Sequence, residues 1–426
     1  MNLFENYLLR HANYKPFILN EPSPGLKTIV VIPCLNEPTI LKTIESLWNC
    51  AKPISDTEII VVINSSEKSG ESIKYQNNKS NEELNEWVHK FNGKSLALYV
   101  IKIENLNEKI AGVGYARKTG MDEAISRFLK SGNIYGTIVS LDADSVVDNN
   151  YLVEIEKLFA SGKRTNGCSI YFEHQQNEIE QNSEISKRIT EYELYLRYYK
   201  NALKYTGFPY YHYTIGSCFA VSAIVYCKAG GMNRKKAGED FYFLQKIMPF
   251  GNYFELNSTC VHPSSRPSDR VPFGTGAFIS SYQFLPEKKF LTYQFAAFID
   301  LKKLFDDIQC FFRINPEQIE SKITDYPQAL KSFLIHNGFK ENIISINKNS
   351  SSAESFRKRF YSWFNAFKVL RFLNSCHENF YHKELVKDCL MSYLYHTNKT
   401  INQTISSEEL LLLIKKEEKG RDNLLD

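Results

Sequence analysis

The residues best placed to do chemistry form the run Ser140-Leu141-Asp142-Ala143-Asp144, where an apolar segment leads straight into two carboxylates one residue apart. In an extended chain residues i and i+2 project to the same side, so both carboxylates can face one cation. Hard divalent cations take oxygen ligands, and Mg2+ is commonly held by one or two carboxylates with substrate phosphates alongside. The triplet is frequent on surface loops, and its weight comes from standing at the end of a buried strand. Downstream lies His262, after an expected strand at 253–261. Its imidazole could complete the coordination, and Mn2+ accepts such a nitrogen more readily than Mg2+. Taken alone, His262 reads as a structural histidine. Arg266 and Arg270 follow it in a loop of Pro, Ser and Gly, and guanidinium groups make paired, charge-assisted hydrogen bonds to a pyrophosphate.

Two further clusters bear on the same chemistry. Gly238-Glu239-Asp240 opens an expected helix, FYFLQKI. Acidic residues there are stabilised by the helix dipole, and either one could equally serve as a general base toward an acceptor hydroxyl. The residue types do not choose between Glu239 and Asp240. Gly112 and Gly114 precede Arg117 and Lys118, which superficially offers a Gly-x-Gly phosphate turn. A dinucleotide fingerprint needs a third glycine and a preceding first strand, and both are missing. A small-residue turn running into a helix from Arg117 instead lets backbone N–H groups and a guanidinium approach phosphates or ribose.

The elements that must position these groups follow from hydrophobic periodicity. Residues 28–32, 58–63, 96–103 and 136–141 are strand-like, the first, second and fourth being continuous β-branched or apolar runs typical of buried parallel strands. Helical spacing recurs at 38–49 and 117–128, whereas the polar stretch 64–93 predicts a loop with one helix around 82–91. Beyond Asp142 the pattern predicts a helix at 150–160, a strand at 167–172 and a long aromatic helix at 184–205. The alternation predicts an open, mostly parallel, doubly wound α/β sheet, which binds ligands at the carboxyl ends of its strands. Residues 1–26 form a leader segment, 27–276 the catalytic domain and 277–426 a helical C-terminal extension with acceptor or docking roles, closing on a charged, solvated helix.

Composition narrows the partners. The 426 residues carry 52 basic and 48 acidic side chains, interspersed, for a net charge of +4, which gives no nucleic-acid footprint. Nine cysteines without a C-x-x-C pair predict reduced thiols and a cytoplasmic location. The N-terminus lacks the pattern of a secretory signal, and the longest apolar stretch is too short to span a bilayer. Peripheral contact with the inner face of a membrane stays open, carried by the C-terminal third. Aromatic content of 14% suits either sugar-stacking clefts or an aromatic core.

Taken in order, VVIPCLNEP (30–38), IIVVINSSE (59–67), AGVGYARKTGMDEA (111–124), SLDADSVVDNNYL (140–152), GEDFYF (238–243) and CVHPSSR (260–266) resemble the family 2 glycosyltransferases of the GT-A fold. The resemblance implies transfer of a single sugar from a nucleotide-sugar donor, UDP- or GDP-linked, to a glycan, glycolipid or small-molecule hydroxyl. It implies that Pro33, Asn36 and Glu37 line the nucleotide pocket, with Asn64 where the family usually has a base-reading aspartate. Gly112, Arg117, Asp142, Ala143, Asp144, Arg266 and Arg270 would meet the donor. Asp142, Asp144 and His262 would hold Mn2+ or Mg2+, Asp144 most directly, with Asp142 shared between ribose and metal. Asp240 matches the catalytic base of inverting members, with Glu239 beside it. The extended loop after His262 also resembles retaining enzymes that make small glycosides. A nucleotidyltransferase would need a Gly-rich, basic loop after the first strand, which 33–38 lacks. A non-catalytic nucleotide-binding domain would have no need to keep Asp142, Asp144, Asp240 and His262 together.

Overall fold

The computed structural model describes residues 2–12, 15–175, 183–267, 274–283, 289–399, 401–402 and 404–420. Its contacts divide the chain into two compact units. The first comprises Met1–Ile189, His212–Phe284 and Lys415–Asp426, the second Thr190–Tyr211 and Leu285–Ile414.

The first unit is built on one sheet of eight strands among the described residues: β1 (Leu26–Cys34), β2 (Asp56–Ser66), β3 (Leu96–Leu106), β4 (Thr137–Ser140), β5 (Val146–Val147), β6 (Gly167–Phe172), β7 (Phe219–Ser222) and β8 (Tyr253–His262), in the order β3-β2-β1-β4-β7-β6-β8-β5. The pairs β2–β3, β1–β2, β1–β4 and β6–β8 are parallel, and β7 runs antiparallel between β4 and β6. Six strands therefore point one way, as the sequence predicts. The chain winds outward from β1 through β2 to β3, then returns to place β4 on the other side of β1. That reversal makes the carboxyl ends of β1 and β4 the switch point at which open α/β sheets bind ligands.

The helices of this unit are α1 (Leu3–Tyr7), α2 (Ile40–Trp48), α3 (Glu71–Phe91), α4 (Val113–Lys130), α5 (Tyr151–Ala160), α7 (Ala223–Lys228), α8 (Glu239–Ile247) and α9 (Thr275–Gln283), while α6 (Ser183–Tyr205) runs on into the second unit. Helix α3 is far longer than the expected 82–91. It buries Asn77, Ser80 and Leu84, so two of its three buried positions are polar and its inner face carries no apolar period.

Helix α4 is buried nearly all round, although Lys118, Asp122, Glu123 and Arg127 lie on it. The N-terminal segment supplies the partners that make this affordable. Tyr7 Oη donates to Asp122 Oδ1 at 2.7 Å, Glu123 accepts from the Phe17 and Ile18 amides, and Arg127 donates to the Asn20 carbonyl while pairing with Glu58. Buried charges survive when paired and hydrogen-bonded, and Tyr7, Phe17, Ile18 and Asn20 supply those bonds to α4.

The closing helix, Ser407–Lys419, departs from the solvated expectation. Glu418 is buried and accepts from the Tyr213 hydroxyl at 2.9 Å, while Lys419 pairs with Glu173 at 2.8 Å. The second unit is helical and holds a buried phenylalanine cluster that includes Phe333, Phe360, Phe364 and Phe372, which accounts for much of the aromatic content as core.

Candidate active site

The sequence-predicted residues are brought together at the carboxyl ends of β1, β2 and β4 and at the start of α8. Pro33 and Cys34 close β1, paired with Val62 and Ile63 of β2. The chain then turns through Asn36, whose φ of 50° lies in the left-handed region that asparagine tolerates. Its amide donates to Asn77 Oδ1 at 2.9 Å, and the Asn77 amide nitrogen donates to the Asn64 carbonyl at 3.3 Å. One residue of α3 thus ties the ends of β1 and β2. Ser80 adds a bond to the Glu37 carbonyl at 3.1 Å. Asn77 and Ser80 are positioning residues that the apolar pattern could not reveal, because both are polar.

Glu37 is buried and accepts from Thr39 twice and from Arg266 Nη2 at 2.8 Å. Burial would raise its pKa, but the hydrogen bonds from Thr39 and Arg266 outweigh that and hold the carboxyl below its ordinary range. Arg266 therefore anchors the loop after β8 to the end of β1. Arg270 lies outside the described residues.

Asn64 is buried, and its side-chain amide donates to the Gly112 carbonyl at 3.0 Å, fixing the residue that precedes α4. Two residues on, a Cβ at Gly114 would lie 2.1 Å from the Lys235 carbonyl oxygen. Only glycine permits that approach, which packs the segment before α8 against the start of α4.

Arg117 connects the whole arrangement. Its side chain is 2% exposed. Nη1 donates to Ser140 Oγ at 2.6 Å and to the Gly216 carbonyl, Nη2 donates to Asp142 Oδ1 at 3.0 Å, and Nε lies 3.2 Å from Glu239 Oε1. A Cβ at Gly216 would come within 2.8 Å of the guanidinium, so that position too requires glycine. Burial opposes the charge on Arg117, yet Asp142, Glu239 and Asp240 more than offset it and raise its pKa. This geometry makes Arg117 a positioning residue that acts through Asp142 and Glu239.

Asp142, half-buried, follows β4 directly. Ala143 is buried, and its carbonyl accepts from Thr43 Oγ1 of α2 at 2.8 Å. Asp144 is half-buried, and its carbonyl shares the Gln175 amide nitrogen with the carbonyl of His262. The backbones of Asp144 and His262 are thus neighbours, but the His262 ring turns to Asp148, with Nε2 2.8 Å from Oδ1. Among the described residues no three His, Cys, Asp or Glu side chains gather as a metal site. The structure therefore brings Asp142 and Asp144 to one strand end and places the imidazole on a different carboxylate. Two partly exposed carboxylates suit a hard cation whose remaining positions are filled by phosphate and water oxygens.

Glu239 and Asp240 begin α8 after Gly238, and their environments differ. Glu239 is buried against Arg117. Asp240 keeps partial exposure and accepts from the Phe241 amide at 2.7 Å. Burial of its carboxyl and the neighbouring Glu239 push its pKa up to about 7, against an opposing pull from Arg117. Asp240 is thereby poised to exchange a proton near neutrality. In the Gly230-Gly231 turn that precedes this pair in sequence, a side chain at Gly231 would collide with the Tyr7 hydroxyl.

An open α/β sheet thus places an Asp-x-Asp strand end and an acidic helix start on one buried arginine. Residues 29–226 match the family model described as Glycosyl transferase family 2. No curated protein matches the sequence. Solved structures similar to this chain include S. aureus TarS 1-349 in complex with UDP-GlcNAc, at 12% identity and a TM-score of 0.39, covering 88% of this chain and 93% of that one. Another is the mannosyltransferase PcManGT from Pyrobaculum calidifontis in complex with GDP-Man and Mn2+, at 13% identity, TM-score 0.33, and 99% and 95% coverage. A third is glucosyl-3-phosphoglycerate synthase from Mycobacterium tuberculosis with Mn2+, UDP-Glc and phosphoglyceric acid, at 15% identity, TM-score 0.31, and 64% and 84% coverage.

Proposed function

We propose that this protein transfers a single sugar from a nucleoside-diphosphate sugar to an acceptor hydroxyl, with inversion at the anomeric carbon and Asp240 as the base. The observation that carries this reading is the Asp240 carboxyl, partly exposed, held at the start of α8 and pushed up to about 7. A general base works best when its pKa lies near the operating pH.

In this reading the donor lies across the carboxyl ends of β1, β2 and β4, in a frame set by Asn36, Glu37, Asn64 and Gly112. Asp142 and Asp144 would hold a divalent cation, Mn2+ or Mg2+. When bound, the cation supplies positive charge against the developing diphosphate. Asp240 takes the proton of the acceptor hydroxyl as that oxygen attacks, and the backbone N–H of Phe241 fixes the plane of its carboxylate. Arg117 holds Asp142 on the donor side and Glu239 on the acceptor side to one rigid centre, so that both carboxylates are pre-positioned.

The test is to incubate the protein with Mn2+ and a panel of donors that includes UDP-GlcNAc, UDP-Glc and GDP-Man, and to measure release of UDP or GDP. Slow hydrolysis of at least one donor, stimulated by the right acceptor, is expected. No nucleotide release from any donor, with or without acceptors, would sink the proposal. The anomeric configuration of the product, read by NMR, decides between inversion and retention.

A further inference from the structure

The edge of the sheet opposite the site carries an unusual combination of side chains. Because β1, β2, β3, β4, β6 and β8 all run the same way, the segments entering them share one edge. These segments are residues 19–27, 49–56, 90–95, 130–136, 161–166 and 246–252. They hold eight lysines and arginines, all exposed, against two acidic residues, Glu21 and Asp56. These segments carry +6, or +5 with Glu156 of α5, whose carboxylate accepts from the Ile54 and Ser55 amides, which leaves 44 basic and 45 acidic residues elsewhere in a chain of net charge +4. Charge that looks interspersed along the sequence is segregated by the fold.

The same segments expose large apolar side chains at their tips. Ile54 is 100% exposed, Leu19 80% and Tyr135 76%, and Ile134 and Phe250 are also exposed. Single exposed apolar residues are normal, but here they recur on loop after loop of one edge, interleaved with cations. Apolar wedges among lysines and arginines are what binds the interface of an anionic bilayer, the side chains entering the headgroup region and the cations meeting lipid phosphates. The most exposed tips, Ile54 and Leu19, are aliphatic and offer no stacking face to a nucleic acid base. The apolar residues stand on separate loops between cations, which a deformable bilayer accommodates. Among the described residues no helix is long and apolar enough to cross a membrane, so such attachment would be at the surface.

We infer that this edge docks the protein on an anionic phospholipid membrane. The sequence leaves membrane contact to the C-terminal third, whereas the sheet places it in the first unit. Docked this way, the carboxyl ends of the strands face the aqueous phase. For the nine residues of β1, at about 3.3 Å each, the site stands roughly 30 Å from the lipid. The acceptor would then be met on the aqueous side and not at the headgroup layer.

Co-sedimentation of the full chain with vesicles tests this independently of any activity. Wild-type protein is expected to bind phosphatidylglycerol-containing vesicles at least about tenfold better than phosphatidylcholine vesicles, with binding weakening as salt rises. Lys94→Glu with Lys163→Glu should cut the affinity by about fivefold or more per lysine. Ile54→Ser with Tyr135→Ser should reduce it without changing the melting temperature, since both side chains are exposed. Equal binding to both vesicle types, no binding to either, or full binding by both variants would overturn the inference. So would loss of self-association in the same variants without any change on vesicles, which would assign the edge to a second copy of the chain.

Discussion

The guanidinium of Arg117 lies 3.2 Å from Glu239 Oε1, and the two side chains are only 2% and 4% exposed. The same guanidinium reaches Asp142 at 3.0 Å, so a strand end and a helix start far apart in sequence meet on one buried cation. That coupling makes the position of α8, and with it Asp240, depend on a residue that itself lies out of contact with solvent.

Replacing Arg117 by Met should therefore do more than remove a charge. It leaves Glu239 buried without its partner, a loss expected to cost about 3–5 kcal/mol in a denaturant titration. Adding Glu239→Gln should restore much of that stability, but donor turnover should stay low, because Asp142 is no longer held. Recovery of turnover in the double variant would show that Arg117 serves stability alone.

Asp240→Asn should lower transfer by roughly 10²–10⁴-fold while donor affinity, measured by calorimetry, is kept. In the wild type kcat/KM should fall about tenfold per pH unit below about 7, where the base becomes protonated. Stability moves in the opposite sense. The carboxyl is raised in the folded state from an ordinary 3.8 to about 7, so the unfolded chain ionises first as pH rises. Stability is lost between those two values and is not regained above them. The Asn variant escapes that loss, and its gain in Tm over wild type should be larger at pH 8 than at pH 4. An equal Tm difference at both values would mean the carboxyl is not raised.

Sequence patterns made the sheet legible because its strands are nearly unbroken apolar runs, and the residues 140–144 could be placed at a strand end for the same reason. What escaped them is what polar residues do inside. The first half of helix α3 was hidden because Asn77 and Ser80 face inward to bind backbone groups. The role of Tyr7 and Phe17 was hidden because α4 carries Asp122, Glu123 and Arg127, which look solvated until the Tyr7 hydroxyl and the Phe17 amide meet Asp122 and Glu123. Motif order identified Arg117 but not its depth, since nothing local in the sequence says that Ser140, Gly216 and Glu239 close around it.

Asn77→Leu tests the hidden helix. The substitution keeps much of the volume but leaves the Asn36 amide and the Asn64 carbonyl without their present side-chain partner, at a cost of about 1–3 kcal/mol. The turn after β1 should loosen, so the donor KM is expected to rise more than kcat falls. A variant equally stable and unchanged in KM would remove Asn77 from the positioning of the nucleotide pocket.

The two readings of His262 separate by direct measurement of metal binding. Its ring is 2.8 Å from Asp148, while its backbone carbonyl shares the Gln175 side-chain amide with the carbonyl of Asp144. Mn2+ affinity in the presence of UDP, read by electron paramagnetic resonance, should therefore change by no more than about twofold in His262→Ala. Asp144→Asn should weaken it by about tenfold or more, as expected when a carboxylate ligand is lost from an oxygen-coordinated site. A tenfold loss in His262→Ala would instead mean that the imidazole leaves Asp148 when donor and metal arrive, and that the three-residue site expected from the sequence forms only in the complex.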